Sequence, residues 1–231
     1  SLWRGWRDRR YFHRLPERFG FLPPAFRSYV AVAVWIHAVS VGEVLSSLEL
    51  MQQLRAGLPR ARIFLSCGTL AGREAAETKS AALVDGIFYA PFDLVFIVRR
   101  VLRTIRPAVV VVLETEIWPN LYRETKRSGA ALVVVNGGIS NRARPRYRRL
   151  QWFFREVLTL PDKVLTQTEQ DRNTYEQLGA QSAIYNGNLK YDFMSSDASI
   201  AEDLREWLAT PEPLWIAGST VGPEYGGDVG E

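Results

Sequence analysis

Apolar runs of four to seven residues alternate along this chain with stretches whose apolar positions recur every three or four residues. The run 30–36 is apolar throughout, and Val44, Leu45, Leu48, Met51 and Leu54 follow it at helical spacing. The pattern predicts strands over 30–36, 62–66, 86–89, 108–113, 131–136, 163–166 and 183–185. It predicts helices over 42–57, 70–82, 93–105, 118–128, 145–159 and 169–178. Pro107, Gly129 and Gly179 punctuate the later crossovers. The strand runs are continuously apolar rather than alternating, so both faces of the sheet should be covered. Strands that alternate with helices in this way predict an α/β fold, a doubly wound, Rossmann-like parallel sheet.

After Asp192 the pattern changes. Residues 193–212 read as a polar linker that carries a helix over 199–208. Residues 213–220 read as a new strand that ends in Gly218-Ser219-Thr220. The expected organisation is therefore an arm over 1–28, a Rossmann-like domain over 29–192, the linker, and over 213–231 the start of a second, truncated Rossmann-like domain. The chain reads as a fragment of a longer protein.

Its 231 residues, 47% hydrophobic, suffice for a sizeable core. A single cysteine, Cys67, excludes an intrachain disulfide, and two histidines, His13 and His37, argue against a histidine metal centre. The net charge of +4 is unevenly spread: seven arginines against Asp8 and Glu17 make residues 1–28 strongly basic, and the remainder is close to neutral. That segment also holds Trp3, Trp6, Tyr11, Phe12, Phe19, Phe21 and Phe26. Arginine mixed with aromatics suits an anionic membrane surface. It also suits RNA, or an arm packed on the body. No run reaches the roughly 20 apolar residues of a spanning helix.

Candidate chemistry lies at the ends of the strands, where open α/β folds bind ligands. The first strand runs into His37-Ala38-Val39-Ser40-Val41-Gly42-Glu43, which puts Glu43 in the first turn of a helix. A helix N-terminus favours an anion and tends to lower a carboxylate's pKa. Gly42 permits close approach and a positive φ. A carboxylate so held serves as a general base beside an acceptor hydroxyl. It serves equally as an ordinary first-turn acid. The fourth strand runs into Glu114-Thr115-Glu116-Ile117-Trp118-Pro119-Asn120. If the backbone stays extended, Glu114 and Glu116 share one side, and Pro119 fits the first position of a helix. They are site carboxylates or a capping cluster. Arg142, Arg146 and Arg149 would share a helix face able to meet phosphates. Asn188 and Lys190 close the domain in Asn186-Gly187-Asn188-Leu189-Lys190-Tyr191-Asp192. There is no dinucleotide or P-loop glycine pattern.

Taken in order, these turns and Ala217-Gly218-Ser219-Thr220 resemble the 3-deoxy-D-manno-octulosonic acid (Kdo) transferases of lipopolysaccharide synthesis. Glu17-Arg18-Phe19-Gly20 is similar to that family's N-terminal arm. The resemblance implies a GT-B glycosyltransferase that acts at the cytoplasmic face of the bacterial inner membrane. It implies an N-terminal domain that receives a lipid A precursor and a C-terminal domain that holds most of the CMP-Kdo site. We expect inverting transfer with no metal and no cofactor. Glu43 matches the family's proposed base, and Glu116 the second acid of its Glu-Thr-Glu motif. We assign Ser40, Gly42, Glu114, Glu116 and Arg142 to the acceptor, and Asn188, Lys190, Gly218, Ser219 and Thr220 to the donor. Expected partners are CMP-Kdo, the lipid A precursor and an anionic membrane surface, and no nucleic acid. Two departures stand out. Asn136-Gly137-Gly138 lacks the family's arginine, for which Arg142 or Arg144 would substitute, and Val221-Gly222-Pro223-Glu224 replaces a histidine and an acidic run. The alternatives are a GT-B transferase for another nucleotide sugar, or a non-catalytic module that binds membrane or RNA.

Overall fold

The structure, a computed structural model, describes residues 14–27, 32–139 and 144–191. The chain divides into two compact units, Ser1–Met194 and Ser195–Glu231. The expected linker and second-domain start lie outside the described residues, as do Arg142, Gly218, Ser219 and Thr220.

Seven strands form one wholly parallel sheet: β1 (Ala33–His37), β2 (Arg62–Cys67), β3 (Gly86–Tyr89), β4 (Val109–Leu113), β5 (Ala131–Gly137), β6 (Lys163–Thr166) and β7 (Ala183–Tyr185). Their order is β3-β2-β1-β4-β5-β6-β7. The chain moves outward from β1 to β3, then returns to lay β4 on the other side of β1. The crevice beyond the carboxyl ends of β1 and β4 is thus the point where the winding reverses, the usual ligand site of such sheets.

The central strands β1, β2, β4 and β5 contribute to two cores. Ala33, Trp35, Phe64, Val110, Val112, Leu132 and Val134 belong to one, and Val34, Ile36, Ile63, Leu65, Val111, Leu113 and Val135 to the other. Alternate residues of a strand point to opposite faces, so these continuous apolar runs are buried on both, as their composition requires.

Helices α1 (Leu15–Arg18), α2 (Val41–Ser46), α3 (Leu48–Gly57), α4 (Leu70–Lys79), α5 (Val95–Ile105), α6 (Pro119–Arg127), α7 (Arg144–Arg149), α8 (Gln151–Leu158) and α9 (Glu169–Gln177) fill the connections. Two expected single helices are each broken. The helix expected over 42–57 ends at Ser46 because Ser46 Oγ donates to Glu43 O (3.1 Å) and Ser47 Oγ to Val44 O (2.8 Å). Such bonds compete with continuation of the helix. The helix expected over 145–159 breaks at Leu150, whose φ of −107° and ψ of 27° are not helical. On α5, Ile97, Val98, Val101, Leu102 and Ile105 are buried, and Phe96, Arg99 and Arg103, with Arg106 just past the helix end, form an exposed stripe.

The described part of the arm packs on the body. Glu17 is buried: its carboxylate meets Arg73 Nη1 at 2.6 Å and accepts from Tyr89 N at 2.9 Å. Arg18 lies 4.4 Å over the Tyr89 ring and donates to Gly68 O. Phe26 packs on Phe64 and Phe88.

Candidate active site at the carboxyl edge of the sheet

The turn after β1 is clamped by its neighbour. Val39 O accepts from Gly68 N (3.0 Å) and Thr69 N (3.2 Å). A Cβ at Gly68 would fall 2.3 Å from Val39 Cγ1, so this approach requires glycine. Ser40 then caps α2 and accepts from Glu43 N. The Glu43 carboxylate folds back: Oε2 accepts from Val39 N (2.7 Å) and Oε1 from Ser40 Oγ (2.8 Å). Ser40-Val41-Gly42-Glu43 is thus a variant of the capping box.

Capping does not exhaust what Glu43 does. The residue is only 5% exposed. Burial pushes its pKa up to about 7, against the hydrogen bonds from Val39 and Ser40, and the carboxylates of Glu116 and Glu114 raise it further. The expectation that the helix N-terminus would lower this pKa is overturned, because loss of hydration outweighs the donors. A second expectation also fails. Gly42 is not in the left-handed region, and a Cβ there would meet only Ser40 Oγ at 3.9 Å. Gly42 is exposed and opens space beside Glu43.

Glu114 and Glu116 are not an extended pair. Glu114 turns left-handed (φ 54°) as soon as β4 ends, while its N–H still pairs with Val135 O at 2.9 Å. The two side chains then part. Glu116 Oε2 accepts from Trp118 Nε1 (2.6 Å), and its carbonyl accepts from Tyr122 Oη (3.2 Å). Glu114 Oε1 lies 2.7 Å from Lys190 Nζ, an ion pair outside hydrogen-bonding angles. Neither glutamate caps α6. Asp93 does so from the loop before α5, accepting from Asn120 N (3.1 Å) and Leu121 N (2.7 Å). The capping reading of the Glu-Thr-Glu motif therefore falls, and Pro119 takes the first helical position as expected.

His37 supports this arrangement from below. It is fully buried, and burial lowers its pKa to about 3, so the ring is neutral. Ser66 Oγ accepts from Trp35 Nε1 (2.8 Å) and lies 2.9 Å from His37 Nδ1. Ser66 Oγ also donates to Ile36 O (3.5 Å), and His37 Nε2 has no hydrogen-bond partner among the described residues. The ring stands edge-on to Trp118 at 4.5 Å between centroids and so fixes the indole that holds Glu116.

The segment after β7 doubles back over the sheet edge. Leu189 N donates to Asn136 Oδ1 (3.1 Å), Asn188 Nδ2 contacts Gln167 Oε1 (3.4 Å), and Lys190 reaches Glu114. Ser40, Glu43, Glu114, Glu116, Asn188 and Lys190 therefore share the carboxyl edge of one sheet. Lys190, assigned to the donor, pairs with Glu114, assigned to the acceptor. Asp93 and Gln167 escaped sequence reading; Gln167 lies just past the end of a predicted strand and Asp93 opens a predicted helix, which is the available signal. Cys67 is buried and its thiol is pushed up to about 12, so it supplies no nucleophile. Among the described residues no cluster of three or more histidine, cysteine or acidic side chains is arranged to hold a metal. None of the described helices is long and apolar enough to cross a membrane.

The family model of 3-deoxy-D-manno-octulosonic-acid transferase matches residues 13–193. The chain belongs to this glycosyltransferase family. A 3-deoxy-D-manno-octulosonic acid transferase of Haemophilus influenzae is 31% identical over 91% of the chain, and one of Chlamydophila psittaci is 33% identical over 91%. The chain spans about half the length of these curated relatives, 50% and 49%. A UDP-GlcNAc 2-epimerase of Neisseria meningitidis, solved with UDP-GlcNAc, aligns with a TM-score of 0.53 at 13% identity, over 77% of this chain and 53% of that one. That likeness concerns fold alone, and it agrees with the doubly wound sheet read from the strand pattern and with the GT-B class that the resemblance implies. The family matched is the one that the strand-end turns resemble.

Proposed function

We propose that the parent enzyme of this chain transfers Kdo from CMP-Kdo to a hydroxyl of a lipid A precursor, with inversion, at the cytoplasmic face of the inner membrane. The reading rests on one observation: in a member of the Kdo transferase family, Glu43 is a buried carboxylate at the winding reversal, with its pKa pushed up to about 7. Family membership and the position of Glu43 support it.

The steps follow from the charges. The acceptor oxygen forms a bond to the anomeric carbon of Kdo, the bond to the CMP phosphate breaks, and the hydroxyl proton passes to Glu43. The negative neighbours Glu116 and Glu114 make Glu43 a stronger base, because protonation relieves their repulsion. Lys190 offsets Glu114 and lowers the cost of bringing an anionic donor to this edge. Trp118 fixes Glu116, which positions the acceptor. Ser40 and Gly42 shape the acceptor side, and Asn188 the donor side. The transition state has oxocarbenium character. The full-length enzyme, given CMP-Kdo and a lipid A precursor, should release CMP only when acceptor is present. Release without acceptor, or the same release after Glu43→Gln, would overturn the assignment.

A further inference from the structure

The exposed stripe of α5 carries no acidic residue, and it sits in a wider field of arginine. Two shallow hollows flank it and share Arg99, Arg103 and Arg106; Arg27 and Arg100 line the first, and Arg127 the second. The acid in these walls is Glu124, which is buried and already paired with Arg99 (2.5 Å) and Arg127 (2.8 Å). Arg27, Arg103 and Arg106 have no carboxylate partner among the described residues.

One end of this field is apolar. Phe96, 62% exposed, precedes Arg99 and Arg100 by about one turn, and Leu94 beside it is 47% exposed. Arg100 lies 4.0 Å over the ring of Phe21, itself 59% exposed, and donates to Phe19 O. The apolar end faces the reaction edge: α5 begins just after Asp93, which caps α6 directly behind Glu116 and Trp118.

We propose that this face of α5 docks on an anionic phospholipid surface, with Phe96, Leu94 and Phe21 entering the interface and Arg99, Arg103 and Arg106 lying over lipid phosphates. Arg103 and Arg106, which lack acids and are bordered by exposed aromatics, suit a bilayer better than a folded partner. Residues 1–13 are a poor cover for it, since they hold four arginines against Asp8. The assignment deepens the function proposed above: docking on this face brings the carboxyl edge of the sheet to the membrane that would hold a lipid acceptor.

The test is co-sedimentation of the full chain with phosphatidylcholine vesicles, with and without phosphatidylglycerol. Each arginine near such a surface is worth about five-fold in partitioning, so Arg103→Gln with Arg106→Gln should weaken binding to anionic vesicles roughly thirty-fold. The Lys/Lys pair should restore most of it. The loss should shrink in 1 M salt, where the screening length is about 3 Å, and Phe96→Ser should lower the salt-resistant remainder. Unchanged binding by the Gln/Gln protein would overturn the proposal and leave the arm as the anchor. Tighter binding to single-stranded RNA than to vesicles, lost in the same variant, would also overturn it. In the full-length enzyme, transfer to a detergent-dispersed acceptor should be the same in wild type and the Gln/Gln variant. Loss of vesicle binding with such transfer intact supports docking. Absent transfer in both, with binding behaviour as expected, would refute the proposed reaction and not this surface.

Discussion

The pH dependence of transfer gives the sharpest test of Glu43, because its two roles make opposite demands. A carboxylate that only caps a helix gains from being ionised at every working pH, and its loss costs about 0.5–2 kcal/mol of stability. A buried base with its pKa near 7 is mostly protonated, and idle, in mild acid. Two pH units below its pKa only about 1% is ionised. In the full-length enzyme kcat/KM should therefore climb about tenfold per unit from pH 5 and level off just above 7. Because the Glu43, Glu114 and Glu116 carboxylates interact, the midpoint belongs to the cluster. Glu116→Gln removes one of the charges that raise the Glu43 pKa, so the midpoint should move to lower pH even as acceptor placement suffers. Glu43→Gln should abolish the limb and lower the plateau by roughly 10²–10⁴-fold, about 3–5.5 kcal/mol of barrier. Melting temperature measured on the same samples separates lost chemistry from lost fold. A flat profile between pH 5 and 8, or a stable Glu43→Gln enzyme with near-normal turnover, would refute the reasoning.

Three other substitutions probe the frame of the site. Glu17→Ala removes the Arg73 partner at 2.6 Å and the acceptor of Tyr89 N, leaving Arg73 with Glu77 alone at 2.8 Å, and denaturant titration should show a loss of about 1–3 kcal/mol. Gly68→Ala forces the β1 turn away from a 2.3 Å clash; it should cost about 1–3 kcal/mol and lower turnover by displacing Glu43, while Gly129→Ala, which meets no neighbour, serves as a strain control for its own positive φ. His37 is held neutral with its pKa near 3 instead of the ordinary 6.5, so its contribution to stability is full above pH 6.5 and is lost as pH falls toward 3. His37→Phe should flatten the fall in urea midpoint between pH 6.5 and 4, and an unchanged slope would count against a buried neutral ring.

The strands were legible because a parallel sheet covered on both faces must be apolar at every position, and runs such as Val109–Leu113 meet that demand without ambiguity. The ends of helices were less legible. The stop at Ser46 depends on hydroxyls bonding to carbonyls within their own turn, and serine also occurs inside helices. The site was legible as a set of strand ends but not as a set of partners. Glutamate gives no sign of the left-handed turn that separates Glu114 from Glu116. Asp93 caps a helix 27 residues further along the chain, and Lys190 crosses from the far side of the sheet to reach Glu114. Such pairings are set by how the chain winds in space, which local periodicity does not encode. The arm illustrates the same limit, because Glu17 reads as one charge in a basic segment until Arg73 and Tyr89 enclose it.

The way the β1 turn grips Glu43 has a stereochemical consequence. A carboxylate has about four lone-pair sites, and the Val39 amide and the Ser40 hydroxyl occupy two of them, one on each oxygen. A proton from an approaching hydroxyl has to arrive along one of the two directions left open. Under the proposed chemistry, backbone geometry then decides the angle at which a sugar ring presents itself, and hence which of its hydroxyls is aligned to react. Choice among chemically similar oxygens would be settled by two hydrogen bonds inside the protein, before any side chain touches the rest of the acceptor.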